Sequence, residues 1–347
     1  MSTTTAPERT TMNGKPVHFR NAKTVLNLDS GFRHKRLCDG PTFSAGDACA
    51  YSCAFCYVEA MTHKLLRHDH SELKDLDHMD IVVRRKDAVE TLRKQLLALP
   101  DAVRTQQLTL YMSHSVDVAA NMDLVRETVA ACEAILELTH WHIRMLSKSN
   151  LLPNVAKHLL VKKVNQVSDV KARLIFGVST GTLDDALAAA FEQGCPKVSK
   201  RIESLHWLQD EGFRTFGMIC PSLPVRDSYQ EWSLAMMDAI RATRCEHVWA
   251  EVLNVRGKSM IRTCAALHAA GYEWQAAELQ RVSTDKAAWE DYARKTFLAH
   301  ACRTDLLEPT TYKTKLRFLQ YVTKETAQWW HDHTSSGAIP LGAAAIH

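Results

Sequence analysis

Residues 46 to 59 read GDACAYSCAFCYVE and place Cys49, Cys53 and Cys56 on one short loop, with Phe55 and Tyr57 flanking the last. Three thiolates this close can bind three corners of a 4Fe–4S cubane. The fourth iron then has no protein ligand. It can chelate the amino and carboxylate groups of S-adenosylmethionine. An electron from the cluster can then cleave a carbon–sulfur bond of the sulfonium, giving a 5′-deoxyadenosyl radical able to abstract hydrogen from unactivated carbon. A structural zinc site on the same loop would need a fourth ligand, for which Cys38 and His63 are the candidates. The other cysteines, at 38, 132, 195, 220, 245, 264 and 302, are scattered and spell no second cluster motif.

Such a loop must be held by a scaffold. Strand patterns are expected near Thr42 to Ala45, then at Gln107 to Ser113, His142 to Ser147, Arg173 to Thr180, Thr215 to Cys220 and His247 to Leu253. Helical patterns fall between them, at Lys86 to Leu99, Met122 to Leu138, Val198 to Asp210, Ser228 to Arg241 and Ser259 to Ala270. A further helix-like stretch follows the cysteines, from Tyr57 to about Leu66. This alternation implies six parallel β/α units, too few for a closed eight-unit barrel, so the expected fold is α/β, an open partial barrel. Its chemistry belongs at the carboxyl ends of the strands. That edge carries the cysteine loop, Ser113 to Asp117, Ser147 to Asn150, Ser179 to Thr182, Cys220 to Ser222 and Asn254. The domain reading is a flexible, basic segment over 1–40, the barrel over 41–272, a purely helical region over 273–334 and a flexible tail over 335–347.

Composition bounds the rest. The 347 residues are 46% apolar, enough for a large core. A formal charge of +4, from 43 basic and 39 acidic residues, does not diagnose nucleic-acid binding, although local patches can do so. The opening MSTTTAPERTTMNGK has no apolar run and does not read as a secretory signal. No stretch approaches the roughly 18 apolar residues needed to span a bilayer. A cytoplasmic address and reduced thiols are expected, with no membrane partner.

With this cysteine spacing, the chain resembles the radical S-adenosylmethionine superfamily. Further stretches resemble its spore photoproduct lyase-like branch: RMLSKSN (Arg144 to Asn150), GVSTGTLDDALAAAFEQGCPKVSKRIESLHWLQDEGF (Gly177 to Phe213), GMICPSLP (Gly217 to Pro224) and AEVLNVRG (Ala250 to Gly257). The second stretch holds the branch's serine-bearing strand at Ser179, its leucine–aspartate–aspartate turn at Leu183 to Asp185, Glu192 with Gly194 and Pro196, and Arg201. The resemblance covers roughly residues 42 to 257. It implies that Lys148 and Ser179 contact S-adenosylmethionine. It also puts the ligand's amino group at the end of the second strand, where Ser113, His114 and Ser115 stand. Glu192 and Arg201 are candidates for an ion pair that shapes the site, or for an ordinary surface pair.

The chain also departs from the branch. The lyase's hydrogen-donor cysteine near the second strand has no counterpart, since no cysteine lies between Val58 and Ala131. Cys220, at the end of the fifth strand, or Tyr111 is the candidate donor instead. The resemblance implies a radical enzyme acting on nucleic acid or a nucleotide, served by a reductant such as flavodoxin or ferredoxin. Basic groups at Arg33 to Arg36, Arg84 to Lys86, Lys162 and Lys163, and Lys313 to Arg317 agree with that partner. Trp207, Trp329 and Trp330 could stack on bases or pack as amphipathic core. The competing readings are radical modification of a peptide or small molecule, and a zinc-stabilised binding module without catalysis.

Overall fold

The first described residues, from Thr11, form strands where a flexible segment was expected. In the computed structural model, which describes residues 11–60, 77–112, 114–161, 170–253, 258–301, 315–321, 327–334 and 338–341, β1 (Thr11–Met12) and β2 (Lys15–Arg20) form a hairpin. Asn13 and Gly14 turn it, both with positive φ. Next come β3 (Leu26–Asn27), β4 (Thr42–Phe43), β5 (Gly46–Ala48), β6 (Ser52–Cys53) and β7 (Val82–Arg85). β2 pairs parallel to β7, and β5 pairs antiparallel to it. The strand character of β2 is hard to read because Pro16 interrupts it and its ends, Lys15 and Arg20, are buried cations.

The main sheet continues with β8 (Thr109–Met112), β9 (His142–Ser147) and β10 (Leu174–Ser179). A two-residue β11 (Glu192–Gln193) pairs antiparallel with β6. Then follow β12 (Arg214–Ser222), β13 (His247–Val252), β14 (Leu316–Tyr321) and β15 (Ala338–Leu341). The six strands expected from the sequence, β4, β8, β9, β10, β12 and β13, lie side by side and parallel. All six residues of β10 are buried, the pattern of a strand covered on both faces. The Met122–Leu138 helix starts where Asn121 accepts hydrogen bonds from the N–H groups of Asp123 and Leu124. Its apolar stripe packs on the sheet.

The region after 273 is not purely helical. β14 and β15 extend the sheet in parallel beyond β13, and β3 closes the opposite edge antiparallel to β4. Both faces of β14 are buried, Arg317 and Gln320 included, so polar letters disguise a core strand. β15 falls in the expected tail. The nine-stranded sheet keeps two edges, so among the described residues the barrel is open.

Two apolar layers hold it. One lies between sheet and helices and includes Val125, Leu152, Phe176, Leu205 and Met236. The other fills the concave face with Tyr111, Ile175, Phe216, Met218, Trp249 and Leu319, packed on Leu37 and Cys38. The segment before β4 is thus a plug. Arg144 Nη1 donates to Leu37 O at 2.7 Å, and Trp249 Nε1 donates to Lys35 O at 3.0 Å.

Close packing at the carboxyl edge needs glycine. A Cβ on Gly181 would sit 1.6 Å from Pro221 O, a backbone atom that cannot swing aside. Gly181→Ala should therefore cost about 1–3 kcal/mol of stability. Gly31→Ala, which meets nothing within 4 Å, should leave stability unchanged. Urea denaturation of both variants checks this, and an unaffected Gly181→Ala would contradict the packing.

Candidate active site

The three motif cysteines are not far apart by chance of folding: β5 and β6 carry the loop to the carboxyl edge of the sheet, where Ala54 N–H donates to Phe191 O and Cys56 N–H to Cys53 O. Cys49 Sγ accepts N–H groups from Tyr51 at 3.5 Å and from Asp117 at 3.3 Å. Such donors favour a thiolate. Desolvation works against it, pushing Cys49 up to about 11, with the Asp117 carboxylate adding to the shift. Cys56 is pushed up to about 12, also chiefly by desolvation. A metal is what would overcome this, since coordination deprotonates a thiol outright.

Against the loop, with Lys148 Nζ 5.0 Å from the Phe55 ring centroid and Glu192 paired to Cys53, stands a buried ion network. Lys148, just past β9, directs Nζ to Glu192 Oε1 at 2.7 Å, Ser179 Oγ at 3.1 Å and Cys220 O at 3.4 Å. Arg201 Nη1 lies 2.5 Å from Glu192 Oε2. Glu192 and Arg201 have side chains only 1% exposed, so theirs is no surface pair. Burial pulls the Lys148 ammonium down, but the Glu192 carboxylate overrides it and holds it above its usual value. Two cations share one carboxylate, which leaves a positive charge in excess beside the cavity.

Asp117 joins the two sides. Its carboxylate accepts from Ser147 Oγ at 2.8 Å and 3.0 Å, from Lys148 N–H at 2.8 Å and from Ala119 N–H at 2.8 Å. Desolvation raises its pKa in spite of these donors. Sequence reasoning placed Asp117 on this edge without giving it a role; its signal was a carboxylate just beyond a strand end. Cys195 was also missed. Its Sγ is 3.6 Å from Cys53 Sγ, because β11 pairs with β6.

One cavity of about 1100 Å³ of empty volume, open to solvent, brings these groups together. Its walls include Cys49, Cys53, Cys56, Tyr111, Ser115, Lys148, Ser179 and Cys220. Ser113, His63 and Asn254 lie outside the described residues. Cys220 Sγ stands 3.9 Å from Glu251 Oε2. Tyr57 Oη donates to His114 O at 2.6 Å, and Lys35 Nζ lies 5.4 Å from the Phe32 ring centroid and 5.8 Å from that of Tyr57.

Among the described residues the cysteines do not assemble a closed four-sulfur zinc site, although Cys53 Sγ and Cys195 Sγ stand 3.6 Å apart. Four sulfurs around one zinc at about 2.3 Å stand roughly 3.8 Å apart. Among the described residues, no three cysteines lie within 4.8 Å of one another. Cys38 packs into the concave apolar layer and does not line the cavity. Glu59, Asp77 and His78 do converge within 4.8 Å, but the Arg262 guanidinium sits among them, paired to both carboxylates.

Part of the basic groups read as a nucleic-acid surface is used inside the protein, while Arg33, His34, Arg36 and Lys86 are exposed. Arg84 pairs with Glu127, Arg85 pairs with Asp47, and Arg317 is buried. Lys162, Lys163 and Lys313 lie outside the described residues. Trp330 is fully buried and stacks on Phe318 at 5.7 Å, and Trp329 packs edge-on against it. Trp207 is half-buried, with Lys157 Nζ 4.6 Å from its ring centroid. No helix among the described residues is long and apolar enough to cross a membrane.

No family model matches the chain. The uncharacterized protein ORF301 of Acidianus two-tailed virus is 23% identical over 252 residues, 72% of this chain and 78% of its own. Among solved structures, a spore photoproduct lyase mutant with bound AdoMet and dinucleoside spore photoproduct is similar at a TM-score of 0.49 and 10% identity. That match covers 72% of this chain, which spans 65% of the lyase. Streptococcus suis SuiB bound to S-adenosylmethionine matches at a TM-score of 0.37 and 13% identity, over 69% of this chain and 47% of SuiB. At TM-scores below 0.5 these likenesses carry no functional weight, and the residues of the site have to.

Removing Glu192 should expose what it balances. Glu192→Leu leaves Lys148 and Arg201 as neighbouring buried cations, and should cost about 3–5 kcal/mol. Denaturant unfolding of the metal-free protein measures it. A loss below about 1 kcal/mol would mean that the network is solvated and unimportant.

Proposed function

We propose that this chain is a radical S-adenosylmethionine enzyme. The observation that carries the reading is one cavity lined both by the three motif thiols and by the Lys148–Ser179 pair. A 4Fe–4S cluster held by Cys49, Cys53 and Cys56 would supply an open iron and one electron for cleaving a carbon–sulfur bond of the sulfonium. The protein's own groups fit the amino-acid end of that cofactor. Lys148 has three N–H donors, and the longest of its present contacts is the one to Cys220 O at 3.4 Å. That donor is the cheapest to redirect to a carboxylate, with Ser179 Oγ beside it. Ser115 and Asp117 offer acceptors for an ammonium on the same cavity. Val58, Leu146, Val252 and Leu253 give the same cavity an apolar wall against which the reacting carbon would lie.

The substrate we propose is a nucleic acid or nucleotide. Support comes from the cavity lining, where Lys35 stands beside Phe32 and Tyr57, with Tyr111 packed on Phe32, an aromatic and cationic set suited to a base and its phosphate. Cys220 is the proposed hydrogen-atom donor to a substrate radical, with the Tyr111 hydroxyl as the second group on the same cavity. Burial keeps the Cys220 thiol protonated, well above its usual pKa, so the S–H bond is present at neutral pH. A flavodoxin- or ferredoxin-like reductant would deliver the electron.

Anaerobically reconstituted protein should hold about four irons with matching sulfide. Reduced with dithionite in the presence of S-adenosylmethionine, it should release 5′-deoxyadenosine slowly without substrate. Each of Cys49→Ala, Cys53→Ala and Cys56→Ala should abolish that release, while Cys220→Ala keeps cluster and release but alters the products made from DNA, RNA or nucleotides. Stoichiometric zinc without iron uptake, or full loading with no 5′-deoxyadenosine, sinks the proposal. Separately, Lys148→Ala should weaken S-adenosylmethionine binding by about 1.5–3 kcal/mol in calorimetry on loaded protein. Unchanged affinity would leave Lys148 a partner of Glu192 alone.

A further inference from the structure

Lys15 is buried in an unusual way. It opens β2, is 9% exposed, and donates from Nζ to Cys49 O at 2.7 Å and to Tyr51 O at 3.0 Å. Both carbonyls belong to the loop that carries the motif thiols. The other buried cation of β2, Arg20, has a carboxylate, Asp47, which it shares with Arg85. Lys15 has none within ion-pair distance among the described residues. Burial lowers its pKa, and the charges that oppose this are first those of Cys49, Cys53 and Cys56, and then Asp80. Neutral carbonyls satisfy the donors of an ammonium without balancing its charge, and an unbalanced buried charge is costly. The structure therefore keeps on the cysteine loop a buried cation that has two carbonyl partners and no carboxylate within ion-pair distance among the described residues.

We infer that Lys15 is a positioning residue for the proposed cluster: it fixes the loop through two carbonyls, and its charge favours the reduced cluster over the oxidised one. The inference rests on the cluster reading above. Each electron added to a cluster adds negative charge at a fixed distance from the ammonium, in a region where water screens little. Net charge and hydrogen bonding around a cluster are what set its reduction potential. The N-terminal strand thus supplies part of the electron chemistry from outside the barrel.

The test compares wild type, Lys15→Gln and Lys15→Arg after anaerobic reconstitution. Iron and sulfide content are measured, and the midpoint potential is read from a redox titration followed by electron paramagnetic resonance. Lys15→Gln keeps a hydrogen-bond donor and drops the charge, so it should load and titrate at a more negative potential. Lys15→Arg should stay close to wild type. Loss of the cluster in Lys15→Gln with retention in Lys15→Arg also supports the inference, because a cation is then what the loop requires. A loaded Lys15→Gln with the wild-type potential overturns it. So does an equal shift in Lys15→Arg, or loss of the cluster in both variants. Wild-type protein that takes up no iron is a different result, and overturns the cluster reading and this inference together.

Discussion

Glu192 has to face two cations at once, and much of the site's geometry follows from that requirement. Its backbone pairs with Cys53 through β11 and β6, so the carboxylate is tied to the cysteine loop. Lys148 brings the end of β9 to it, and Arg201 brings the Val198–Asp210 helix. Arg201 also donates to Pro196 O and Ser179 O, which fixes the chain on both sides of the helix's approach. A buried network of this kind contributes little net stability compared with apolar packing. Its cost when broken is what makes it restrictive. A loop shifted by even a few ångströms would leave a carboxylate or an ammonium without a partner in a region that water cannot reach.

The sequence was most legible where one periodicity dominates. Buried parallel strands such as LIFGVS, and the amphipathic Met122–Leu138 helix with its asparagine cap, announce themselves, and all six strands read this way occur in register. The cysteine spacing is equally local, which is why the loop could be placed on a strand end. What failed to show was structure whose polar residues are satisfied at a distance. β2 reads as a basic, irregular approach because Lys15 and Arg20 find their partners some thirty residues later, in Cys49, Tyr51 and Asp47. β14 reads as part of a basic run because Arg317 and Gln320 give polar letters to a buried strand.

The candidate site divides along the same line. Lys148, Ser179 and the cysteines stand in recognisable local motifs, and the topology brings them to one cavity. Asp117 and Cys195 depend on contacts that only the fold creates: one through Ser147 and the backbone of Lys148, the other through a two-residue strand pair. Counts of charge mislead for a related reason. The Arg20–Asp47–Arg85 set and the Arg84–Glu127 pair spend three arginines on internal ion pairs, which a composition of 43 basic and 39 acidic residues cannot reveal.

The protonation state of the cysteine loop connects these threads. Desolvation keeps Cys49 and Cys56 as thiols when no metal is bound, with values pushed up to about 11 and about 12. Loading the proposed cluster must therefore expel protons from a site that resists anions, and metal coordination supplies the free energy for it. The protein prepares the charged form in advance through fixed dipoles and a fixed cation: the N–H groups of Tyr51 and Asp117 at Cys49 Sγ, and Lys15 on the loop carbonyls. These groups are oriented by β2, by the turn after β8 and by the loop itself, so they need no reorganisation when charge develops. Compensating dipoles already in place would stabilise the buried negative charge of the proposed cluster without waiting for solvent to reorganise.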